Sequence, residues 1–288
     1  MALTDDAVLI DRTKSALENF SDCPWLPDLT SDLAEVGRRV LYQKTGLALS
    51  NYGTSRVIAR SVHAPRNVVA YLSTSWAIEV LDESFARYYK DAGIVFYTVD
   101  EISCTNLLKC VEDAIHLIKR VPTLHATVDT LVKSLHLIKP ADDDYDVSFS
   151  EPQIPFSIFV SVPQQQISTT ALQIAEAVVH EAMHLQLTLI EQNVPLTIST
   201  SEQYYSPWRK EYRDAQGILH ALYVFRVIDR FLEQLALIGR STDDVMEYIH
   251  DRRYDIGKQI SEIQSFHQCP ALTRVGACFV QRLIEICW

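Results

Sequence analysis

Residues 171–193 read ALQIAEAVVHEAMHLQLTLIEQN and centre on His180-Glu181-Ala182-Met183-His184. On a helix of 3.6 residues per turn, positions four apart lie one above the other, so His180 and His184 can offer two imidazole nitrogens to one ion. This is the geometry of an HExxH metal motif. At 100° per residue, Gln173, Glu176, His180, His184, Leu187 and Glu191 share one narrow stripe, and apolar residues from Leu172 to Ile190 cover most of the rest. The pattern predicts a buried helix with a polar seam, where ionisable groups cost several kcal/mol unless paired or bound to metal. The alternative is two hydrogen-bonded core histidines beside a coincidental glutamate. At this chain's His and Glu frequencies HExxH arises by chance in roughly 1–2% of sequences, so the buried context favours metal.

Working outward, Ser168 or Thr169 is placed to cap this helix and Pro195 to end it. Upstream, residues 145–150 and 154–162 alternate as two short strands of a hairpin, with Pro155 restricting one of them to an edge. Asp142, Asp143 and Asp144 before them read as a solvated turn. Downstream, PLTISTSEQYYSPWRKEYR (195–213) reads as a long aromatic loop, and a loop of that length in a compact domain is uncommon without a function. A helix from Gln216 to Ile238 follows, closed by Gly239, and as the next helix in the chain it is expected to pack beside the HExxH helix as an antiparallel neighbour. Gly217 in its first turn suits a close backbone approach.

The N-terminal part is expected to be helical over 7–20, 30–49, 67–90, from a cap at Asp100 or Ser103 to 118, and over 122–138, with a polar connection at 51–66 and a short strand at 93–99. His116, His125 and His136 fall on these segments without a ligand spacing. Charged and amphipathic helices are expected at 243–267 and 273–287. The fold class is mainly α (α+β): a helical domain with a small β-hairpin, its HExxH helix packed against a second ligand-bearing helix. The organisation expected is an N-terminal helical region, 1–130, for scaffold and substrate, and a metal-binding region, 131–288, in one compact unit.

The net charge of −11 and pI of about 5.3 disfavour nucleic acid and anionic membrane as partners. The start Met-Ala-Leu-Thr-Asp-Asp carries no secretory signal, and no apolar run spans a bilayer, so a soluble cytoplasmic protein is expected. Six cysteines without a CxxC pair fit reduced core thiols.

The third ligand decides the chemistry. Leu187 and Ile190 stand where a metzincin needs Gly and His, which excludes that class. Glu202 and Glu211 lie in the loop and Glu233 late in its helix. His220, near the start of an otherwise apolar helix, is the better candidate, although a packed core histidine is the alternative.

AEAVVHEAMHLQL (175–187), VPL (194–196), YYSPWR (204–209), Arg213 and GILHALYVF (217–225), with the segment 131–163 before them, resemble the HExxH-type α-ketoglutarate-dependent iron enzymes of ribosomal-peptide (RiPP) biosynthesis. The resemblance covers about the C-terminal half, and the N-terminal helices match no pattern. It implies an Fe(II) site on His180, His184 and His220, α-ketoglutarate as co-substrate, and hydroxylation of a side-chain carbon, the β carbon, of a precursor peptide. An α-keto acid needs a cation for its distal carboxylate, a role open to Arg209 or Arg213. Glu181 would orient a ligand or water. Tyr204, Tyr205 and Trp208 would cover the substrate side chain beside His220. Two other classes stay open: a zinc peptidase, with Zn(II) and Glu181 as general base, and a metal-stabilised helical adaptor.

Overall fold

A computed structural model describes residues 5–19, 23–45, 67–72, 76–81, 83–103, 105–141, 147–150, 156–239 and 242–285. The expected polar connection 51–66, Asp142–Asp144 and Pro155 lie outside the described residues. The elements in chain order are α1 (Asp5–Asn19), α2 (Pro27–Thr45), β1 (Asn67–Tyr71), β2 (Ala77–Val80), α3 (Glu83–Lys90), β3 (Val95–Phe96), α4 (Val99–Ser103), α5 (Leu107–Lys119) and α6 (Pro122–Leu131). Then come β4 (Ser134–Lys139), β5 (Ser148–Ser150), β6 (Ser157–Ser161), α7 (Thr170–Asn193), β7 (Tyr204–Ser206), β8 (Glu211–Arg213), α8 (Ala215–Ile238), α9 (Asp243–Ser261) and α10 (Arg274–Glu285). The protein is mainly helical, of α+β class.

The chain divides into two compact units, one of residues 1–33 and 186–288, the other of residues 34–185. The division expected after residue 130 does not coincide with this one, since residues 130 and 131 both fall in the second unit.

The β part of the second unit is larger than the expected hairpin. It is a six-stranded sheet ordered β1-β2-β4-β6-β5, with β3 also paired to β4. Strands β2, β4 and β6 are parallel to one another, and β1, β3 and β5 run antiparallel to their neighbours. Two expected helices are corrected here. Residues 67–90 form β1, β2 and the short α3, and the helix expected over 122–138 stops at Leu131 so that Ser-Leu-His-Leu-Ile-Lys becomes the central strand β4. In SLHLIK the polar Ser134 and His136 are buried together with the leucines, so burial does not follow polarity and the pattern by itself does not choose strand over helix. Pairing on both edges decides the matter, and Ser134 to Ile138 are all buried. His136 therefore sits in β4, its Nδ1 3.0 Å from the Glu79 carbonyl oxygen and its ring stacked on Phe159. The expected hairpin is present as β5 and β6, with β5 as the outer strand and β6 inside the sheet.

In the first unit, α1 packs against α10, and α9 and α10 each pack on α8. Ile198 and Thr273 tie the chain after α7 to the start of α10: Ile198 N donates to the Ala271 carbonyl at 2.7 Å and Thr273 N to the Leu196 carbonyl at 2.9 Å. A Cβ on Gly276 would stand 2.0 Å from the Leu196 oxygen, so only glycine allows this approach. The expected loop 195–213 contains a second hairpin, β7–β8, in the register Tyr204↔Arg213, Tyr205↔Tyr212, Ser206↔Glu211. No helix among the described residues is long and apolar enough to cross a membrane.

Candidate metal centre

The HExxH helix α7 forms as its pattern requires, with residues at 172, 174–179, 181–183, 186, 187, 189 and 190 buried. Along the polar seam Gln173, His180, His184 and Glu191 are only half-buried, while Glu176 and Leu187 are buried. His180 Nε2 and His184 Nε2 stand 3.1 Å apart with ring planes 67° to each other. Two nitrogens at about 2.0–2.1 Å from one ion, subtending between an octahedral and a tetrahedral angle, stand about 2.8–3.4 Å apart. The pair therefore fits two adjacent positions of one metal.

Glu181 is buried on the other side of the motif. Its Oε1 accepts from the Ser148 hydroxyl at 2.8 Å and lies 3.9 Å from His180 Nε2. Ser148 belongs to the outer strand β5, whose neighbour in the chain, Phe149, stacks on Phe159 with centroids 4.5 Å apart. Alternation along the strand sends Phe149 to the opposite face from Ser148 and leaves the serine hydroxyl to hold the carboxylate. Ser148 was not foreseen from sequence, because only pairing of β5 with β6 sets which face it presents.

His220 lies on α8, whose first turn is capped by Asp214: its carboxylate accepts from Gly217 N at 2.7 Å. His220 Nε2 is 2.8 Å from Glu191 Oε2, and Gln216 Nε2 donates to the same oxygen at 2.9 Å. Tyr223 donates to Gln186 Oε1, and Gln186 Nε2 donates to the Thr30 hydroxyl at 2.7 Å. Contacts that run from 216 to 223 on α8 and from 191 back to 186 on α7 show α8 antiparallel to the last turns of α7, as expected from sequence. Burial holds the Tyr223 phenol well above its usual pKa, so it acts as a donor to Gln186. Among the described residues no three His, Cys, Asp or Glu side chains are gathered at one point as a ligand set. Glu191, the partner of His220, and Gln216, the partner of Glu191, were missed by sequence reasoning. Their signals were the shared stripe of Glu191 with the HExxH histidines and the i, i+4 spacing of Gln216 to His220.

The two arginines differ in setting. Arg209 is exposed in the turn between β7 and β8. Arg213 lies against the first turn of α8, where a Cβ on Gly217 would be 3.2 Å from its Nε and 3.4 Å from its Cζ. Gly217 thus makes room for a guanidinium and for the cap Asp214, rather than for a second backbone.

The aromatic residues also separate. Tyr204 turns inward, its ring edge-on to Phe266 and its hydroxyl donating to Glu202 at 2.6 Å. The Cys269 and Glu202 side chains bonded to that hydroxyl raise its pKa. Trp208 lies flat on Phe225, centroids 5.4 Å apart and planes at 4°, with the Arg252 guanidinium 5.4 Å from the same Phe225 ring. Only Tyr205 of the expected trio is exposed (44%), edge-on to Tyr212 (67% exposed), which the sequence did not single out. No family model matches the chain, and no curated protein matches it.

Proposed function

We propose that the protein is an Fe(II)- and α-ketoglutarate-dependent oxygenase that hydroxylates a side-chain carbon of a precursor peptide in the cytoplasm. The observation that carries the metal part is the His180–His184 pair, with Nε2 atoms 3.1 Å apart on a buried helix. The ordered resemblance through residues 131–225 to the HExxH-type peptide hydroxylases carries the choice of iron and keto acid. The same resemblance implies His180, His184 and His220 as the residues that would hold the ion, although among the described residues these three are not gathered as a ligand set. Bound Fe(II) would couple oxidative decarboxylation of α-ketoglutarate, giving succinate and carbon dioxide, to insertion of one oxygen atom into a peptide C–H bond.

The chain's own residues orient and bind. Arg213, laid on the turn of α8 that precedes His220, suits the distal carboxylate of the keto acid better than the solvated Arg209 does. Ser148 keeps the Glu181 carboxylate turned toward the His180 side of α7, where it can orient a ligand or water. Tyr205 and Tyr212 form the exposed aromatic face of the β7–β8 hairpin and suit contact with the peptide, while Tyr204 and Trp208 hold that hairpin on Phe266 and Phe225.

A zinc peptidase is the second reading, favoured by the 3.9 Å between Glu181 Oε1 and His180 Nε2, a separation that places a base beside the ligand set. Anaerobic reconstitution with Fe(II) and α-ketoglutarate, followed by oxygen and the peptide, separates the two. Stoichiometric succinate and a peptide heavier by one oxygen support the oxygenase. Zinc-dependent cleavage without keto acid or oxygen uptake would overturn it.

A further inference from the structure

Strand β5 ends the order of the six-stranded sheet, and among the described residues no strand pairs with its outer edge. The phase of the ladder decides which backbone groups that edge presents. Ser161 N donates to the Val147 carbonyl at 2.9 Å, so Val147 and then Phe149, in register with Phe159, turn their backbone bonds toward β6. The N–H and C=O of Ser148 and Ser150 therefore point outward. Ser150 is exposed, and Ser148 and Phe149 are half-buried. Open edges are templates for a further strand, and proteins close them with charges, prolines or bulges. Residues 147–150, Val-Ser-Phe-Ser, carry neither charge nor proline, and their register with β6 is regular. This edge also lies at the HExxH motif: Ser148 donates to Glu181 Oε1 at 2.8 Å, and that oxygen is 3.9 Å from His180 Nε2.

We infer that the outer edge of β5 docks an extended peptide as an added antiparallel strand, and that this peptide is the substrate. The choice of a peptide substrate as occupant rests on the proposed function; the strand geometry does not. A residue paired with Ser148 exchanges both backbone bonds with it, and directly paired residues point to the same face of a sheet. Its side chain therefore lies on the face that carries Ser148 and Glu181, one strand spacing of about 4.7–4.9 Å from β5. The residue before it in the peptide pairs with Phe149 and turns to the opposite face, beside the Phe149 ring that stacks on Phe159 and Tyr89. The partner that fits is an extended segment whose target residue keeps its backbone N–H and follows an apolar or aromatic residue. Main-chain pairing supplies affinity and the alternate faces supply selectivity.

The probe is a peptide selected from a random phage-displayed library against the full chain, then synthesised with a single backbone N-methyl group at each position in turn. Docking on this edge gives an alternating pattern: methylation opposite Ser148 or Ser150 weakens binding about tenfold or more, and methylation of the residue between them is tolerated. Amide exchange at Ser148 and Ser150 slows in the complex. Ser150→Pro removes an outward N–H but no bond to β6, so it weakens binding to a similar degree. The methyl scan uses the wild-type protein and decides the matter even if that variant fails to fold. A library that yields no binder, a scan without alternation, or a folded Ser150→Pro that binds as tightly as wild type overturns the docking edge and leaves the oxygenase reading to its own succinate assay. Alternation in a protein that forms no succinate from α-ketoglutarate with Fe(II) and oxygen keeps the docking edge and overturns the oxygenase reading alone.

Discussion

Replacing His184 with Ala removes one of the two nitrogens that stand 3.1 Å apart on α7. Under the proposed function, Fe(II) at one hundred times its Kd should stabilise the folded chain by about 2.7 kcal/mol, because only the folded state would hold the ligands together. Unfolding entropy is about 2.1 cal/mol/K per residue, so the 288 residues give about 0.6 kcal/mol/K and the ion raises Tm by about 4–5 °C. His184→Ala should lose that increment while keeping its helicity, since the apolar faces of α7 are buried independently of the ring. Anaerobic scanning fluorimetry with and without Fe(II), and with Zn(II) as a redox-silent substitute, measures the shift, and circular dichroism checks the helix. A variant that keeps the full 4–5 °C increment would show that the ion binds elsewhere and that the histidine pair is a core hydrogen bond.

Other outcomes follow from particular contacts. Arg213→Ala should raise the KM for α-ketoglutarate at least tenfold, the scale of about 1.5–3 kcal/mol for a charge-assisted hydrogen bond, whereas Arg209→Ala should change it less than threefold; steady-state succinate assays decide, and the reverse pattern refutes the assignment. Glu181→Gln should abolish turnover in a peptidase but act through metal affinity or coupling in an oxygenase, and complete loss of peptide cleavage in a metal-replete variant would favour the peptidase. Gly276→Ala drives a methyl into the Leu196 carbonyl and should cost about 3 kcal/mol or more in denaturant titrations, because backbone cannot swing aside as a side chain would. Glu101 is held down to a pKa of about 2, first by its bond to Lys139 at 2.6 Å. A depressed carboxylate stabilises the fold above its unfolded pKa near 4.5 and loses that contribution as pH falls toward 2, so Glu101→Gln should flatten the stability–pH curve across this window. The effect should stay below about 1 kcal/mol, because both side chains are about a third exposed.

The long helices could be read from the chain because their signals are local. Residues 171–193 carry a 3.6 period with a polar seam, and Asp214 and Gly239 bracket α8. The metal-binding hypothesis is equally local, since i and i+4 on one helix always share a face. What tertiary structure alone decided was the sheet and the surroundings of the histidines. The stretches 67–80 and 134–139 carry no local signal that chooses strand over helix, and they became strands because each finds an edge to pair with, a gain no single segment contains. The setting of each aromatic in 204–212 followed from the β7–β8 hairpin register, which turned Tyr205 and Tyr212 outward and seated Tyr204 and Trp208 on Phe266 and Phe225. Glu191, Gln216 and Ser148 were visible as residues but not as partners. Hydrogen bonds across 25 to 33 positions of chain depend on how helices and strands pack, and one sequence taken alone records no distances of that kind.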